Sequence, residues 1–146
     1  MLAKLAAAFT IATGCANSSE VVPDVVEAEI GVDRSAPDEL ATIDIGLELH
    51  AGSRANHNVE LLDAVLLYPT HDRPGITMKL ALPTGNLVLA PDDETMVYLV
   101  NVGTTNADLT IGCGKPFDVL VSVLYLDEPE HGFADVEPTV VTIACH

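Results

Sequence analysis

Ala41-Thr42-Ile43-Asp44-Ile45-Gly46-Leu47-Glu48-Leu49 is the stretch that decides the fold class. Ala41, Ile43, Ile45, Leu47 and Leu49 recur at every second position, with Thr42, Asp44 and Glu48 among the residues between them. Successive side chains of an extended strand point to opposite faces, so this period gives one apolar face and one wet face. A sheet wet on one side favours antiparallel pairing over a parallel core covered by helices on both sides.

Further strand patterns follow at residues 60–68, 76–82, 95–102, 107–111, 117–126 and 139–145, and another precedes at 26–32. Residues 61–67 also fit a short helix, which would decorate the sheet. Pro69 to Gly75, Pro83-Thr84-Gly85-Asn86, Pro91-Asp92-Asp93 and Gly103-Thr104-Thr105-Asn106 separate these patterns with residues that supply turn geometry. Strands at this spacing point to a sandwich or a barrel. From Val100 to Leu109 a strand runs into a Gly/Asn turn and out into a second alternating stretch, which resembles the Asn-x-Gly hairpins of immunoglobulin-like surface modules. That resemblance implies an all-β fold, an antiparallel immunoglobulin-like β-sandwich of seven to eight strands.

The chain has 146 residues, 49% of them hydrophobic and 19% charged, which suits one domain with a substantial core. Three Phe, three Tyr and no Trp mean a core of aliphatic side chains. Twenty-two Asp and Glu against 6 Lys and Arg give a formal net charge of −16. Nucleic-acid backbones need clustered positive charge, and this sequence has no basic patch, so nucleic acid is excluded as a direct partner. The carboxylates are dispersed, as expected of a solvated, self-repelling surface. A high-salt habitat or the capture of a cation are the other readings of this acidity.

The first residues read as an export leader. Met1-Leu2-Ala3-Lys4 is a short positive start, and an apolar run reaches Ala12, too short to span a bilayer of roughly 30 Å as a helix. Ile11-Ala12-Thr13-Gly14-Cys15 resembles the lipobox of bacterial lipoproteins, with Gly14 before the cysteine and Ala12 where Leu is usual. The resemblance implies cleavage before Cys15, its diacylation, and attachment to a membrane of the bacterial cell envelope. Ala16 in the following position implies delivery to an outer membrane, with plain secretion as the alternative. The expected organisation is a signal peptide at 1–14, a lipid-anchored tether at 15–25 and a β-domain at 26–146.

With Cys15 lipidated, Cys113 and Cys145 are the two thiols left to pair, and in an exported protein a disulfide is the simplest outcome. A competing reading joins Cys113 and Cys145 to some of His50, His57, His71, His131 and His146 around copper or zinc. Neither cysteine sits in a Cys-x-x-Cys pair, and Cys113 is followed by Gly114-Lys115-Pro116-Phe117 instead of the His and Met of a copper-protein ligand loop. Ser35, Ser53 and Ser122 lack a nucleophile-elbow context, and Ser122 is expected on the polar face of its strand. Pro91-Asp92-Asp93-Glu94 lacks the alternating ligands of a calcium loop and reads as an exposed turn.

No catalytic site and no resident cofactor are expected. The sequence supports a lipid-anchored envelope interaction or structural module that reaches the membrane through Cys15 and takes an envelope protein as partner. The alternative is an envelope protein that binds a metal or a small ligand.

Overall fold

The computed structural model describes residues 21–52, 57–126 and 139–146. The leader, Cys15, Ser53 and His131 lie outside the described residues. In chain order the elements are β1 (Val21–Val32), β2 (Thr42–Ala51), β3 (His57–Leu67), β4 (Ile76–Thr77), β5 (Leu80–Ala81), β6 (Asn86–Leu89), β7 (Glu94–Tyr98) and β8 (Val100–Asn101). After these come a one-turn helix α1 (Asn106–Leu109), a 3-10 turn (Thr110–Gly112), β9 (Pro116–Tyr125) and β10 (Thr139–Cys145).

The fold is all-β. Eight strands form one mixed, mostly antiparallel sheet in the order β4-β3-β9-β10-β1-β2-β7, with β6 paired to β3 beside that path. β5 and β8 make a separate two-stranded sheet. β10 divides its pairing. Residues 139–142 run antiparallel to β9, and Ile143 to Cys145 run parallel to β1. Ile43, Ile45, Leu47 and Leu49 of β2 are buried as their period requires, and they share one apolar cluster with Val59 and Leu66 of β3 and Val119, Val121 and Val123 of β9. The Tyr68 and Phe117 rings pack at 4.6 Å between centroids within it.

Two β-bulges explain where simple alternation fails. In β1, Val25 pairs with Leu47 and Glu27 with Gly46, so Val26 is an extra residue on that strand. Inward positions change there from Val21, Pro23 and Val25 to Ile30 and Val32. In β3, Asp63 pairs with Ser122 and Leu61 with Val123, which makes Leu62 the extra residue. A bulge reverses which face later side chains occupy. The bulged residues Val26 and Leu62 are both exposed apolar side chains, as unpaired insertions are. The Thr139 hydroxyl donates to the Val25 carbonyl at 2.9 Å, satisfying an acceptor at the bulge.

Several expectations change. Residues 107–111 are not a strand: Thr105 and Asp108 form a reciprocal capping box that starts α1, followed by the 3-10 turn. Strand β1 begins at Val21, which is fully buried, so residues 21–25 belong to the sheet and not to a tether. Residues 61–67 are strand, not helix. The 76–82 pattern breaks where the chain leaves β3 to pair β5 with β8, and 95–102 breaks at Leu99 for the same change of partner. Ser122 alternates with the core residues Val121 and Val123 and so takes the opposite face of β9, across from Asp63 of β3, as expected, but it is largely buried there. Cys113 and Cys145 form the expected disulfide, with Cα atoms 5.6 Å apart, and it ties β10 to the turn after α1. Closing a 32-residue separation is worth roughly 3–4 kcal/mol in the chain-entropy account.

Candidate metal centre

The outward residues of β1, β2 and β7 make one acidic face. The register sets Asp24 opposite Glu48 and Glu29 opposite Asp44 across β1 and β2, while His50 stands opposite Glu94 of β7. Glu27 lies on the same face because the Val26 bulge turns it outward. These three strands contain no Lys or Arg. Like charges directly across a strand pair destabilise it by tenths of a kcal/mol to about 1. A bound cation removes that cost.

Asp24, Glu48 and His50 converge within this face. One ligand atom from each lies within 4.8 Å of the other two. Glu48 and His50 are two residues apart on β2, so they share a face, and His50 Nε2 lies 3.0 Å from Glu48 Oε1. His50 Nδ1 is 3.8 Å from Glu94 Oε2. Glu48 and His50 are half-buried, while Asp24 is exposed. A tetrahedral zinc ion would set its N and O ligands about 3.3 Å apart, a spacing near the 3.0 Å between His50 Nε2 and Glu48 Oε1. Nε2 is placed to ligate. Nδ1–H would then donate toward Glu94, the carboxylate–imidazole–metal relay that fixes the tautomer and the ring plane.

Among the histidines raised from sequence, His50 alone belongs to such a group among the described residues. The Cys113 and Cys145 sulfurs are bonded to each other and offer no thiolate, which removes the mixed Cys/His site. His146 is held by its backbone, its N–H donating to the Val32 carbonyl at 2.9 Å. His71 is exposed in the loop after β3, 3.8 Å from Asp118. His57 starts β3. Ser35 donates its hydroxyl to Asp33 at 2.6 Å. The Pro91 to Glu94 segment is a turn in which Asp93 accepts from the Ala90 N–H at 2.8 Å, while Glu94 opens β7. Sequence reasoning did not single out Asp24 and Glu48 as candidate ligands. Glu48-x-His50 was visible as a same-face pair, but Asp24 joins it only through the β1–β2 register.

Three carboxylates elsewhere are tied locally. Ser35 holds Asp33 below the usual range through its hydroxyl and its N–H, and the Thr70 hydroxyl does the same to Asp72. Thr105 lowers Asp108, chiefly through its backbone N–H at 2.9 Å. On the acidic face Tyr98 is pushed above its ordinary value by its hydrogen bond to Glu27 and then by the charge on that carboxylate.

No protein-family model matches the chain, and no curated protein matches its sequence. Among the described residues, no helix is long and apolar enough to cross a membrane. The chemistry of the Asp24–Glu48–His50 group therefore carries the functional reading.

Proposed function

We propose that this chain is a non-catalytic envelope protein that binds a divalent transition-metal ion through Asp24, Glu48 and His50. The observation that carries the reading is the convergence of two carboxylates and an imidazole within 4.8 Å on a rigid strand pair. Mixed N/O ligation suits zinc or copper, and a surface site leaves a coordination position open to solvent or to another molecule. Such a protein stores or hands over its metal. The lipobox-like Ile11 to Cys15 segment supports attachment to the membrane by lipid at Cys15. The pairing of Cys113 with Cys145 leaves Cys15 outside that disulfide. An immunoglobulin-like sandwich is the finer architecture we infer, supported by the way β10 shares its length between β9 and β1.

Titration of the mature protein with zinc chloride in a calorimeter tests the metal reading. One ion per chain is expected, with binding lost in His50→Ala and in Asp24→Asn/Glu48→Gln but kept in His146→Ala. Unchanged binding in His50→Ala overturns it. For the anchor, radiolabelled palmitate is expected in the full-length chain and absent from Cys15→Ala; equal labelling of both would exclude lipid at that residue.

The second reading is an envelope interaction module. It is favoured by Met96 and Tyr98, which are large exposed side chains on β7 at the end of the sheet order. A photo-crosslinker at position 96 is expected to capture one discrete envelope partner in cells, and the absence of any adduct counts against this reading.

A further inference from the structure

The loop after β3 and the α1 corner enclose a cleft of about 520 Å3, away from the acidic sheet face. Its lining includes Tyr68, Arg73, Ile76, Lys79, Asp108 and Ile111. Only five Lys or Arg follow Lys4 in the sequence, and two of them line this one cleft. Two cations against one carboxylate, Asp108, leave this concavity net positive in a chain whose net charge is −16, which favours an anion there.

Both cations are positioned by packing. The Arg73 guanidinium stacks over the Tyr68 ring at 4.2 Å, and that ring is itself fixed against Phe117. Stacking uses the face of the guanidinium and leaves its in-plane N–H groups for hydrogen bonding. Asp72 competes weakly, since it accepts from the Thr70 hydroxyl at 2.6 Å and lies 3.8 Å from Arg73 Nε. The Lys79 backbone is clamped from both sides, its N–H donating to Thr104 Oγ1 at 2.6 Å and its carbonyl accepting from Val102 at 2.9 Å. A Cβ at Gly103 would fall 3.0 Å from Lys79 Cδ, so the stem of the side chain rests on that glycine. The Lys79 ammonium forms no salt bridge among the described residues.

Asp108 places one carboxylate in the lining, where the Thr105 hydrogen bonds and then the Lys79 charge lower it, and Thr77 adds a hydroxyl; the remaining residues are apolar or small apart from Tyr68. Ile111 is 67% exposed at the lip and offers an apolar edge to the cleft. Ile76 and the Tyr68 ring continue the wall. The volume falls within the range of small-molecule sites, which combine apolar walls with a few placed polar groups.

We propose that this cleft binds a small organic carboxylate, with the carboxylate between Arg73 and Lys79 and the apolar body against Ile76 and Ile111. A planar carboxylate matches the two parallel donors of a guanidinium, and Lys79 adds a point charge. The site shares no residue with the Asp24–Glu48–His50 centre, so either stands without the other.

Amide chemical shifts of the mature protein, followed by NMR during titration with sodium benzoate and sodium hexanoate, test the proposal. Saturable shifts centred on residues 68–79 and 108–111 are expected with at least one of the two acids. Arg73→Gln is expected to weaken binding about tenfold, the scale of one charge-assisted contact. Arg73→Gln/Lys79→Gln should abolish it, and Ile111→Ser should weaken it. His50→Ala should leave it unchanged. Absence of saturation with both acids overturns the proposal, as does equal binding by the double variant. Equal shifts from benzyl alcohol remove the anion from it, and equal shifts from inorganic phosphate remove the apolar body.

Discussion

The acidic face of β1, β2 and β7 and the corner formed by residues 101–114 are built on opposite plans. On the face, side chains follow strand register, and charges of one sign end up opposite one another: Asp24 against Glu48, Glu29 against Asp44. At the corner, nearly every polar group is tied to backbone. Asn101 donates to the carbonyls of Ala41 and Thr104 and accepts from Gly103 and Thr104. Asn106, almost fully buried, donates to Ala36 and accepts from Asp33. The difference teaches which charges are structural. Carboxylates engaged by local donors hold a turn, whereas on the sheet face carboxylates stand against each other with no Lys or Arg among their strands, and only neighbours such as His50 and Tyr98 meet them.

The largest break in this contrast comes from the corner. Cys113→Ser/Cys145→Ser is expected to lower stability by roughly 3–4 kcal/mol, read from urea midpoints, while leaving zinc affinity at the face within twofold. A similar loss of zinc binding would mean that the face depends on the staple. Gly112→Ala is the next strongest. An added Cβ would meet Phe117 Cε2 at 2.7 Å and Ile143 Cδ1 at 2.9 Å, and both are fully buried side chains that cannot step aside. Overpacking of this kind costs about 1–3 kcal/mol. A thermal midpoint equal to that of the parent would show that the corner is looser than its packing implies.

Asp24→Asn probes the face and carries the opposite sign. Without metal it is expected to raise stability by a few tenths of a kcal/mol, because it removes a like-charge cross-strand pair. In about 1 M salt, where the screening length falls to about 3 Å, the gain should vanish. Loss of stability on this substitution at low salt would mean that Asp24 makes a favourable contact and is no ligand in waiting.

Much of the face was legible in the sequence. The β2 period named its buried residues and its wet ones, residues 139–145 matched β10, and two cysteines after Cys15 left one pairing. Asp24 was hidden by Val26. An inserted residue changes facing without changing hydrophobic composition, so Val26 read as the start of a strand, with Val25 left to the tether, and not as a kink within it. The corner was misread for another reason. Ala107, Leu109 and Ile111 alternate, but only Leu109 is buried, and Thr105-x-x-Asp108 fixed the backbone as helix before any alternation counted. Capping is short-range chemistry, and at a four-residue element it outweighs hydrophobic pattern.

The mildest test separates engaged from unengaged carboxylates by acid. Asp33, Asp72 and Asp108 have folded-state values lowered from an ordinary 3.8 by their Ser35, Thr70 and Thr105 donors. The folded chain therefore holds fewer protons at these groups than the unfolded chain does, and stability rises with pH across that interval. Their contribution is fully present above the unfolded value and is lost as pH falls through the folded ones. All three are exposed, so the effect on urea midpoints is small and is read as a slope. Asp108→Asn keeps a side-chain acceptor for the Thr105 N–H but removes the titrating charge. Its midpoint should fall less than the parent's between about pH 5 and pH 3, and its midpoint near neutrality should be lower. An acid slope identical to the parent's would show that the capping box holds the turn through geometry alone, and the division between the two regions would then rest on hydrogen bonding and not on charge.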